Sequence, residues 1–322
     1  MNYSTLIVIF LITSWFYKPI RFYILSFFFD FFNNNEYVGK LFGIQYYDDF
    51  ELVAPRNTSQ IYMTGVFPMF FKWFTGMPLE LEHDVMKNFK LIQADAAKKL
   101  NLEPYIQKLD KEKLTVTEFE DIMSIALLEE SNRVFNILPE QKLEELKVHL
   151  RLFRNIIGNL TNNSNKNVFK DLLTNYKIIC KLSNILKSVK KDVRLFLFVP
   201  QLTLLNSFTQ MIIDKNGDLA ETEIHEFLKP VSKYMTMIYK GNLTIVRRHL
   251  DKRNSFENFA FGVNQFKCPG RKYTYQIIQS VLDTLKKMNV KIDGNKPEYH
   301  ESKRFRNIKN KDEIIFTINF AK

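Results

Sequence analysis

The chain has 322 residues, of which 46% are hydrophobic and 14% aromatic, so it can bury a sizeable core in one large domain or two. It carries 46 Lys and Arg residues against 35 Asp and Glu residues, a formal net charge of +11. A basic chain can bind nucleic acid or an anionic membrane, but these positive residues are scattered and form no nucleic-acid motif, so no nucleic-acid partner is expected.

The N-terminus is strongly apolar. A nearly unbroken hydrophobic run covers residues 6–17, Lys18 and Arg21 follow it, and a second run covers residues 22–32. The first run is short for a full span, and it has neither a preceding positive charge nor a small-residue cleavage site typical of a signal peptide. The positive charges on its C-terminal side favour a cytosolic body. We expect residues 1–35 to form a hydrophobic membrane anchor; a buried N-terminal helix is the alternative.

The region that follows predicts a hairpin and then mostly helices. Residues 40–53 carry alternating apolar side chains on either side of a turn at Asp48 and Asp49, which is typical of a hairpin. A loop or a broken helix is indicated by the Asn-, Ser- and Thr-rich residues 159–167. Apolar side chains at helical spacing predict four helices, over residues 82–100, 115–135, 140–157 and 168–196.

The last third predicts shorter elements and one long helix. The segment Asp214–Asp218 resembles a calcium loop, but its glycine comes too early and no bidentate glutamate follows at the right distance, so a hairpin turn between strands is expected. A helix over residues 269–288 and a strand over residues 313–320 complete the prediction. The fold class is therefore mainly α with small β-sheets (α+β). The core stripe of the long helix is Ile277, Ile278, Val281, Leu282, Leu285 and Met288.

The two cysteines, which are too few for a disulfide framework, lie in different contexts. Cys180 has a helical apolar pattern around it and is expected in the core. Cys268 precedes Pro-Gly-Arg, which opens the predicted helix. A helix N-terminus supplies partial positive charge that favours a thiolate. Pro269 suits the first turn because it lacks an N–H, and Gly270 lets a flat ligand lie close to the backbone. A buried structural cysteine is the alternative.

The segment around Cys268 resembles the haem-ligand loop of cytochrome P450s. That loop reads Phe-x-x-Gly-x-Arg-x-Cys-x-Gly, and Phe261, Cys268 and Gly270 match in place. Asn264 stands at the inner glycine, and Phe266 stands at the arginine, which removes a contact to a haem propionate. The Cys-Pro-Gly-Arg ending looks most like the branch that contains sterol 7-hydroxylases and prostacyclin synthase.

Two further segments resemble the family. Residues 243–251 are similar to the stretch before the haem loop, and Arg248 matches the arginine there. Arg194 stands at the arginine of the family's Glu-x-x-Arg, at a suitable distance before Cys268, while Lys191 replaces the glutamate. Lys191, Arg194 and Arg248 would then crowd one site without an acid, which is costly in a protein interior.

A literal Glu-x-x-Arg occurs at Glu130 and Arg133, too far from Cys268 to serve this role, and is expected to be an exposed helical pair. The family's oxygen-activating helix reads Ala-Gly-x-Asp/Glu-Thr. Thr161 falls at its threonine, but Leu160 replaces the acid. The chain is also shorter than a standard member, and the deficit falls between residues 135 and 168, where P450s build the roof over the substrate.

The resemblance implies a P450-like haem domain over residues 36–322, whose haem-binding part covers about residues 190–322. It implies haem b bound through the Cys268 thiolate, monooxygenation of a lipid or sterol-like hydrophobic molecule, and an electron-donating reductase. With the anchor, it places the protein in the endoplasmic reticulum membrane with a cytosolic catalytic body. The implied haem-binding residues are Phe261, Cys268, Gly270, Arg271, Arg194 and Arg248, with Thr161 as the candidate catalytic residue.

Two other functions are compatible with the same residues. A P450-type isomerase or dehydratase of oxygenated fatty acids needs the thiolate-bound haem but no oxygen activation, and Leu160 in place of the acid favours it. A degenerate, non-catalytic P450-like membrane protein is favoured by Lys191, Phe266 and the shortened middle.

Overall fold

The protein is described from a computed structural model, which divides the chain into two compact units, residues 1–80 with 233–249 and residues 81–232 with 250–322. The structure describes residues 16, 21, 25, 32, 35–48, 61–63, 66–77, 100–110, 112–155, 172–197, 204–224, 234–239, 242–247, 270–300 and 307–320.

The first unit contains a four-stranded mixed sheet. Its strands are β1 (Gln45–Asp48), β2 (Ile61–Met63), β4 (Tyr234–Tyr239) and β5 (Asn242–Arg247), in the spatial order β1-β5-β4-β2. Strand β1 runs parallel to β5, and the other neighbours are antiparallel. The predicted hairpin over residues 40–53 stays a prediction, because its returning residues, 52–53, lie outside the described residues. In its described part, β1 pairs with a strand from a distant part of the sequence.

Helix α1 (Glu36–Leu41) precedes β1 and takes up the start of the predicted hairpin. A Glu36–Lys40 ion pair of 2.8 Å at i,i+4 spacing supports this short helix. In strand β1, the Tyr46 hydroxyl donates to the carbonyl oxygen of Phe32 at 2.8 Å. That hydroxyl lies so close to Gly39 that a side chain there would collide with it, at 1.8 Å from an added Cβ. The cluster that anchors this corner is Leu25, Phe32, Ile44, Leu243 and Ile245.

Helix α2 (Val66–Thr75) completes the described part of the first unit, with the rings of Phe70 and Phe74 stacked at 5.3 Å. Across the described residues, no helix combines the length and the apolar character needed to cross a bilayer. Most of residues 1–35, the predicted anchor, lie outside the described residues, as does the predicted helix over residues 82–100 except for its last position.

The second unit is built around α4 (Val116–Phe135), which confirms the predicted helix over residues 115–135. The helix begins with a capping box: Thr115 Oγ1 accepts from the backbone N–H of Glu118 at 3.2 Å, and the Glu118 carboxylate accepts from the backbone N–H of Thr115 at 2.8 Å. It ends at Asn136, whose backbone is left-handed at φ 46°.

A three-stranded antiparallel sheet lies in this unit, in the order β3-β9-β6. The strands are β3 (Lys113–Thr115), β6 (Met288–Gly294) and β9 (Ile314–Phe320). Ile314, Phe316 and Ile318 are each 0% exposed, while the residues between them reach solvent, so β9 shows the period of two of a half-buried strand. The predicted strand over residues 313–320 is confirmed. A small ribbon pairs β7 (Tyr299–His300) with β8 (Asn307–Ile308).

Among its described residues, the second unit also contains the helices α3 (Glu103–Gln107), α5 (Glu140–Val148), α6 (Tyr176–Lys187), α7 (Lys191–Arg194), α8 (Leu205–Asp214) and α9 (Arg271–Leu285). The predicted helix over 140–157 is interrupted at His149 and resumes over 150–155, and the one over 168–196 is broken between α6 and α7. Helices with small sheets make up the described chain, which confirms the predicted mixture of mainly α structure with small β-sheets.

The predicted hairpin turn at Asp214–Asp218 is wrong, because this segment ends helix α8. The backbone N–H of Gly217 donates to the Ile212 carbonyl at 2.8 Å, and that of Asn216 donates to the Ile213 carbonyl at 3.0 Å. These two bonds form a Schellman motif, with Asn216 left-handed at φ 51°. The polar Asp-Lys-Asn-Gly-Asp sequence suits a helix end as well as a hairpin, and the apolar residues before it settle into one helical face.

Helix α9 matches its prediction closely. Ile277, Ile278, Val281, Leu282 and Leu285 are buried as the stripe requires, whereas Met288 begins strand β6. The helix is tied to α3 by a hydrogen bond from the backbone N–H of Leu102 to Ser280 Oγ at 3.0 Å.

Candidate functional site

Gly270 and Arg271, two and three positions after Cys268, form the start of helix α9. Gly270 is the N-cap, and its carbonyl accepts from the backbone N–H of Thr274 at 2.8 Å. Arg271 is half-buried, with its guanidinium 5.5 Å from the centroid of the Tyr275 ring. No acidic residue lies in the first turn, so the helix's own side chains leave the positive end of its dipole uncompensated. Cys268 and Phe261 lie outside the described residues.

Arg194 is a buried cation, only 6% exposed. Its Nη2 donates to the carbonyl oxygen of Val189 at 2.7 Å and to that of Lys187 at 2.9 Å, so it satisfies carbonyls at the C-terminal end of α6. Burial lowers the pKa of the Arg194 guanidinium from its ordinary value. Lys191 is exposed, so the predicted crowding of Lys191 with Arg194 is wrong. Arg248 lies outside the described residues.

The arginine segment and the start of α9 are neighbours. Phe196, two positions after Arg194, lies with its ring edge-on to Tyr273, two positions after Arg271, at a centroid distance of 4.9 Å and an interplanar angle of 82°. Phe135, the last residue of α4, stacks on Phe196 at 4.0 Å and meets Tyr273 at 5.3 Å. The structure thus brings two of the predicted haem-binding segments together through an aromatic cluster, Phe135, Phe196 and Tyr273.

Tyr273 also carries a buried hydrogen bond that the sequence patterns did not reveal. Its hydroxyl lies 2.6 Å from Ser131 Oγ, and the two residues are 2% and 1% exposed. Burial raises the pKa of the Tyr273 phenol well above its ordinary value, because removal from water disfavours the phenolate. The helical stripe of α9 could have placed Tyr273 in the core, since it stands four positions before Ile277, but nothing in the sequence pairs it with Ser131.

The prediction that Glu130 and Arg133 form an exposed pair is wrong for Glu130. The pair Glu130–Arg133 is not simply exposed, because Glu130 is 1% exposed while the Arg133 side chain keeps 55% of its exposure. Arg133 Nε donates to Glu130 Oε2 at 2.7 Å, Arg133 Nη2 donates to Oε1 at 2.5 Å, and the backbone N–H of Asn101 donates to Oε1 at 2.5 Å. The hydrogen bonds that Arg133 donates to the Glu130 carboxylate raise the pKa of Arg133. The pair joins α4 to the chain before α3.

A second buried carboxylate, Glu120, holds α4 to two other parts of the unit. Lys311 Nζ donates to both carboxylate oxygens of Glu120, at 2.7 and 2.8 Å, and Thr209 Oγ1 donates to one of them at 3.2 Å. Both lysine and threonine lie far from Glu120 in the sequence, so this contact could not be predicted from local patterns. The three side chains satisfy one another and leave α4 fixed against α8 and the turn before β9.

Two other residues singled out in the sequence are Cys180 and Thr161. Cys180 is half-buried on α6, so the expectation that it lies in the core is only partly met. Thr161 lies outside the described residues. Within the part of the chain that the structure describes, no three His, Cys, Asp or Glu side chains are grouped as a metal ion would require.

No protein-family model matches the chain, and no curated protein is similar to it in sequence. Cytochrome P450 structures match it over most of its length. One is a 6-coordinated cytochrome P450 from Thermus thermophilus, at 10% identity and a TM-score of 0.45, covering 79% of this chain and 86% of that chain. Another is a variant of cytochrome P450 OleT in complex with arachidonic acid, at 8% identity and a TM-score of 0.45, covering 80% and 78%.

A third match is CYP154A1 from Streptomyces coelicolor, at 11% identity and a TM-score of 0.42, covering 74% of each chain. At TM-scores below 0.5, this likeness assigns neither a family nor a ligand to the chain.

Proposed function

We propose that the chain is a haem-thiolate protein of the P450 type that oxidises a hydrophobic molecule, with Cys268 as the iron ligand. The observation that carries the proposal is the run from Phe261 to Arg271, in which the cysteine and Gly270 match the P450 haem loop and lead directly into α9. The expected reaction is monooxygenation, which requires an electron-donating reductase.

The described residues beside Cys268 fit a thiolate-bound haem in two respects. Helix α9 is long, starts at Arg271 and has no acid in its first turn, so its N-terminus favours a negative sulfur nearby. Arg271, half-buried at the same end, is a suitable cation for a haem propionate. When bound, a thiolate-ligated haem supplies an iron centre onto which the sulfur pushes electron density, which favours cleavage of the O–O bond.

The aromatic cluster and Arg194 have supporting tasks in this proposal. Tyr273 and Phe196 pack the start of α9 against the turn that follows Arg194, and Arg194 itself closes the end of α6. The aromatic cluster of Phe135, Phe196 and Tyr273 therefore holds the first turn of α9 in place. Phe261 and Gly270 are proposed to contact the haem, Arg248 to bind it as the resemblance implies, and the Thr161 hydroxyl would be a proton donor.

A lipid or sterol-like substrate and a membrane location are part of the proposal. They are supported by the apolar run over residues 6–17, by the positive charges that follow it, and by the Cys-Pro-Gly-Arg ending shared with the sterol 7-hydroxylase and prostacyclin synthase branch. We place the anchor in the endoplasmic reticulum membrane, with the catalytic body in the cytosol.

A second candidate is isomerisation or dehydration of an oxygenated fatty acid. Leu160, at the position of the acid that delivers protons, favours it, because such reactions need no reductive oxygen activation. The same departure, together with Lys191 and Phe266, favours a non-catalytic P450-like membrane protein as the remaining alternative.

The experiment that tests the proposal begins with the full chain purified in detergent and supplied with haem. The reduced protein under carbon monoxide should show the Soret band of a thiolate-ligated haem. Turnover of lipid substrates that depends on a reductase would then support monooxygenation, whereas conversion of fatty-acid hydroperoxides without a reductase would support isomerisation. A protein that takes up no haem would overturn both enzymatic functions and leave the non-catalytic one.

A further inference from the structure

One buried hydrogen bond ties the first turn of α9 to α4. Tyr273 Oη and Ser131 Oγ lie 2.6 Å apart, and either hydroxyl can donate. Tyr273 is the third residue of α9, whereas Ser280, which accepts from the backbone of α3, lies two turns further along the helix. The contact therefore acts at the end of the helix that carries the cysteine loop.

Aromatic packing holds the same side chain from two further sides. The Tyr273 ring is edge-on to Phe135 at 68° and to Phe196 at 82°, with centroids 5.3 and 4.9 Å away. Edge-to-face pairs at these distances are favourable and directional. Since Phe135 belongs to α4 and Phe196 to the turn after α7, three elements meet at Tyr273, which leaves it little freedom to shift or rotate.

We propose that Tyr273 is a positioning residue for Cys268. Its contact with Ser131 sets the rotation and depth of the first turn of α9, and Cys268 stands only three positions before Arg271, where the helix begins. A displacement of the first turn is carried to the sulfur through few backbone torsions. The inference rests on the proposed haem-thiolate function, and the competing interpretation is a hydroxyl pair that merely stabilises the core.

Two variants remove the same contact from opposite sides. Tyr273→Phe keeps the ring and its aromatic neighbours but removes the phenol oxygen, and Ser131→Ala removes its partner. The matched control is Thr284→Val. Thr284 is 1% exposed, lies near the C-terminal end of α9, and donates through Oγ1 to the Ser280 carbonyl at 2.9 Å. The control therefore removes a buried hydroxyl from the same helix far from the cysteine.

The first readout needs no haem. Amide hydrogen exchange is measured at Thr274 and Tyr275, because the Thr274 N–H closes the first turn by donating to Gly270. We expect exchange about threefold to tenfold faster in Tyr273→Phe and in Ser131→Ala, as the loss of one buried hydrogen bond implies, and the wild-type rate in Thr284→Val. Unchanged exchange in both test variants would overturn the proposal.

The second readout is the carbon monoxide spectrum of the reduced, haem-loaded protein. In Tyr273→Phe and Ser131→Ala a fraction of the haem should leave the thiolate band, the double variant should lose no more than the single ones, and Thr284→Val should keep the full band. If every variant kept the full thiolate band despite faster amide exchange, Tyr273 would only stabilise the core, and the inference would be wrong. If the wild type binds no haem, the proposed function fails, and hydrogen exchange alone decides whether Tyr273 positions the cysteine's helix.

Discussion

At the scale of single residues, Glu130 shows how a carboxylate is kept in the interior. Three N–H groups reach its two oxygens, two from Arg133 and one from the backbone of Asn101. Because the Arg133 side chain is half exposed, its charge can return to water when the carboxylate is lost, whereas the backbone N–H cannot.

We predict that Glu130→Ala lowers the free energy of unfolding by about 2–3 kcal/mol, measured by urea denaturation. The control is Glu129→Ala. Glu129 pairs with Lys147 nearer the surface, and its loss should cost less than about 1 kcal/mol. Equal costs for the two variants would show that Glu130 is not held as described.

Tyr273 makes stability depend on alkaline pH. Burial raises the pKa of its phenol in the folded protein above the value of about 10 in the unfolded chain. The neutral phenol therefore contributes its full stabilisation below about pH 10, and this contribution declines as the pH rises above that value toward the folded pKa. Urea midpoints of wild type and Tyr273→Phe, compared between about pH 8 and pH 11, should show a steeper alkaline decline in the wild type. Parallel curves would mean that Tyr273 is accessible to water.

At the scale of elements, the end of α8 depends on glycine at one position. Gly217 has φ +81°, and a Cβ added there would lie 1.7 Å from the carbonyl oxygen of Val290 in β6. Asn216, directly before it, is also left-handed but has a side chain that this conformation tolerates. The left-handed backbone and the close approach of β6 therefore both favour glycine at position 217.

Gly217→Ala should lower the free energy of unfolding by more than about 2 kcal/mol, from the left-handed backbone and the displaced strand together. Asn216→Gly, the control, should change it by less than about 1 kcal/mol, since it only removes a side chain from a left-handed position. Thermal and urea denaturation of both variants measure the difference. A mild effect of Gly217→Ala would contradict the contact with β6.

Elements whose signals are local could be predicted from the sequence, and those defined by distant partners could not. The capping residues of α4, the stripe of α9 and the alternation of β9 are contained in short windows, and all three predicted elements are confirmed. Strand β1 pairs with the distant β5, which no local pattern indicated. The hairpin signal at residues 214–218 was misleading, because Gly217 follows the end of α8 and packs on β6. Neither the hydrophobic periodicity of a segment nor its turn residues indicate which distant strand will pair with that segment.

In the candidate site, too, local features could be predicted and contacts between distant residues could not. The helix after the cysteine could be predicted, because its apolar stripe is contained in a short part of the sequence, whereas the role of Cys268 as a ligand stays a prediction. The Tyr273–Ser131 contact joins residues 142 positions apart, and burial of Glu130 depends on the backbone before α3, so neither could be predicted. Arg194 could be singled out by its spacing, but not its contacts with the carbonyls that end α6.

At the scale of the whole molecule, the proposed chemistry requires Cys268 to be the iron ligand, and Cys180 is the other thiol of the chain. Cys180 is half-buried on α6, among residues that form no metal cluster in the described part of the chain. Cys268 precedes α9 and matches the P450 loop. Replacing each cysteine in turn therefore separates a specific ligand from a general effect of losing a thiol.

The most direct test is the carbon monoxide spectrum of the reduced, haem-loaded full chain in wild type, Cys268→Ala and Cys180→Ala. We expect the thiolate Soret band in wild type and in Cys180→Ala, and its loss in Cys268→Ala, while circular dichroism shows that all three proteins are folded. A folded Cys268→Ala protein with the complete thiolate band would contradict the assignment of Cys268 as the iron ligand.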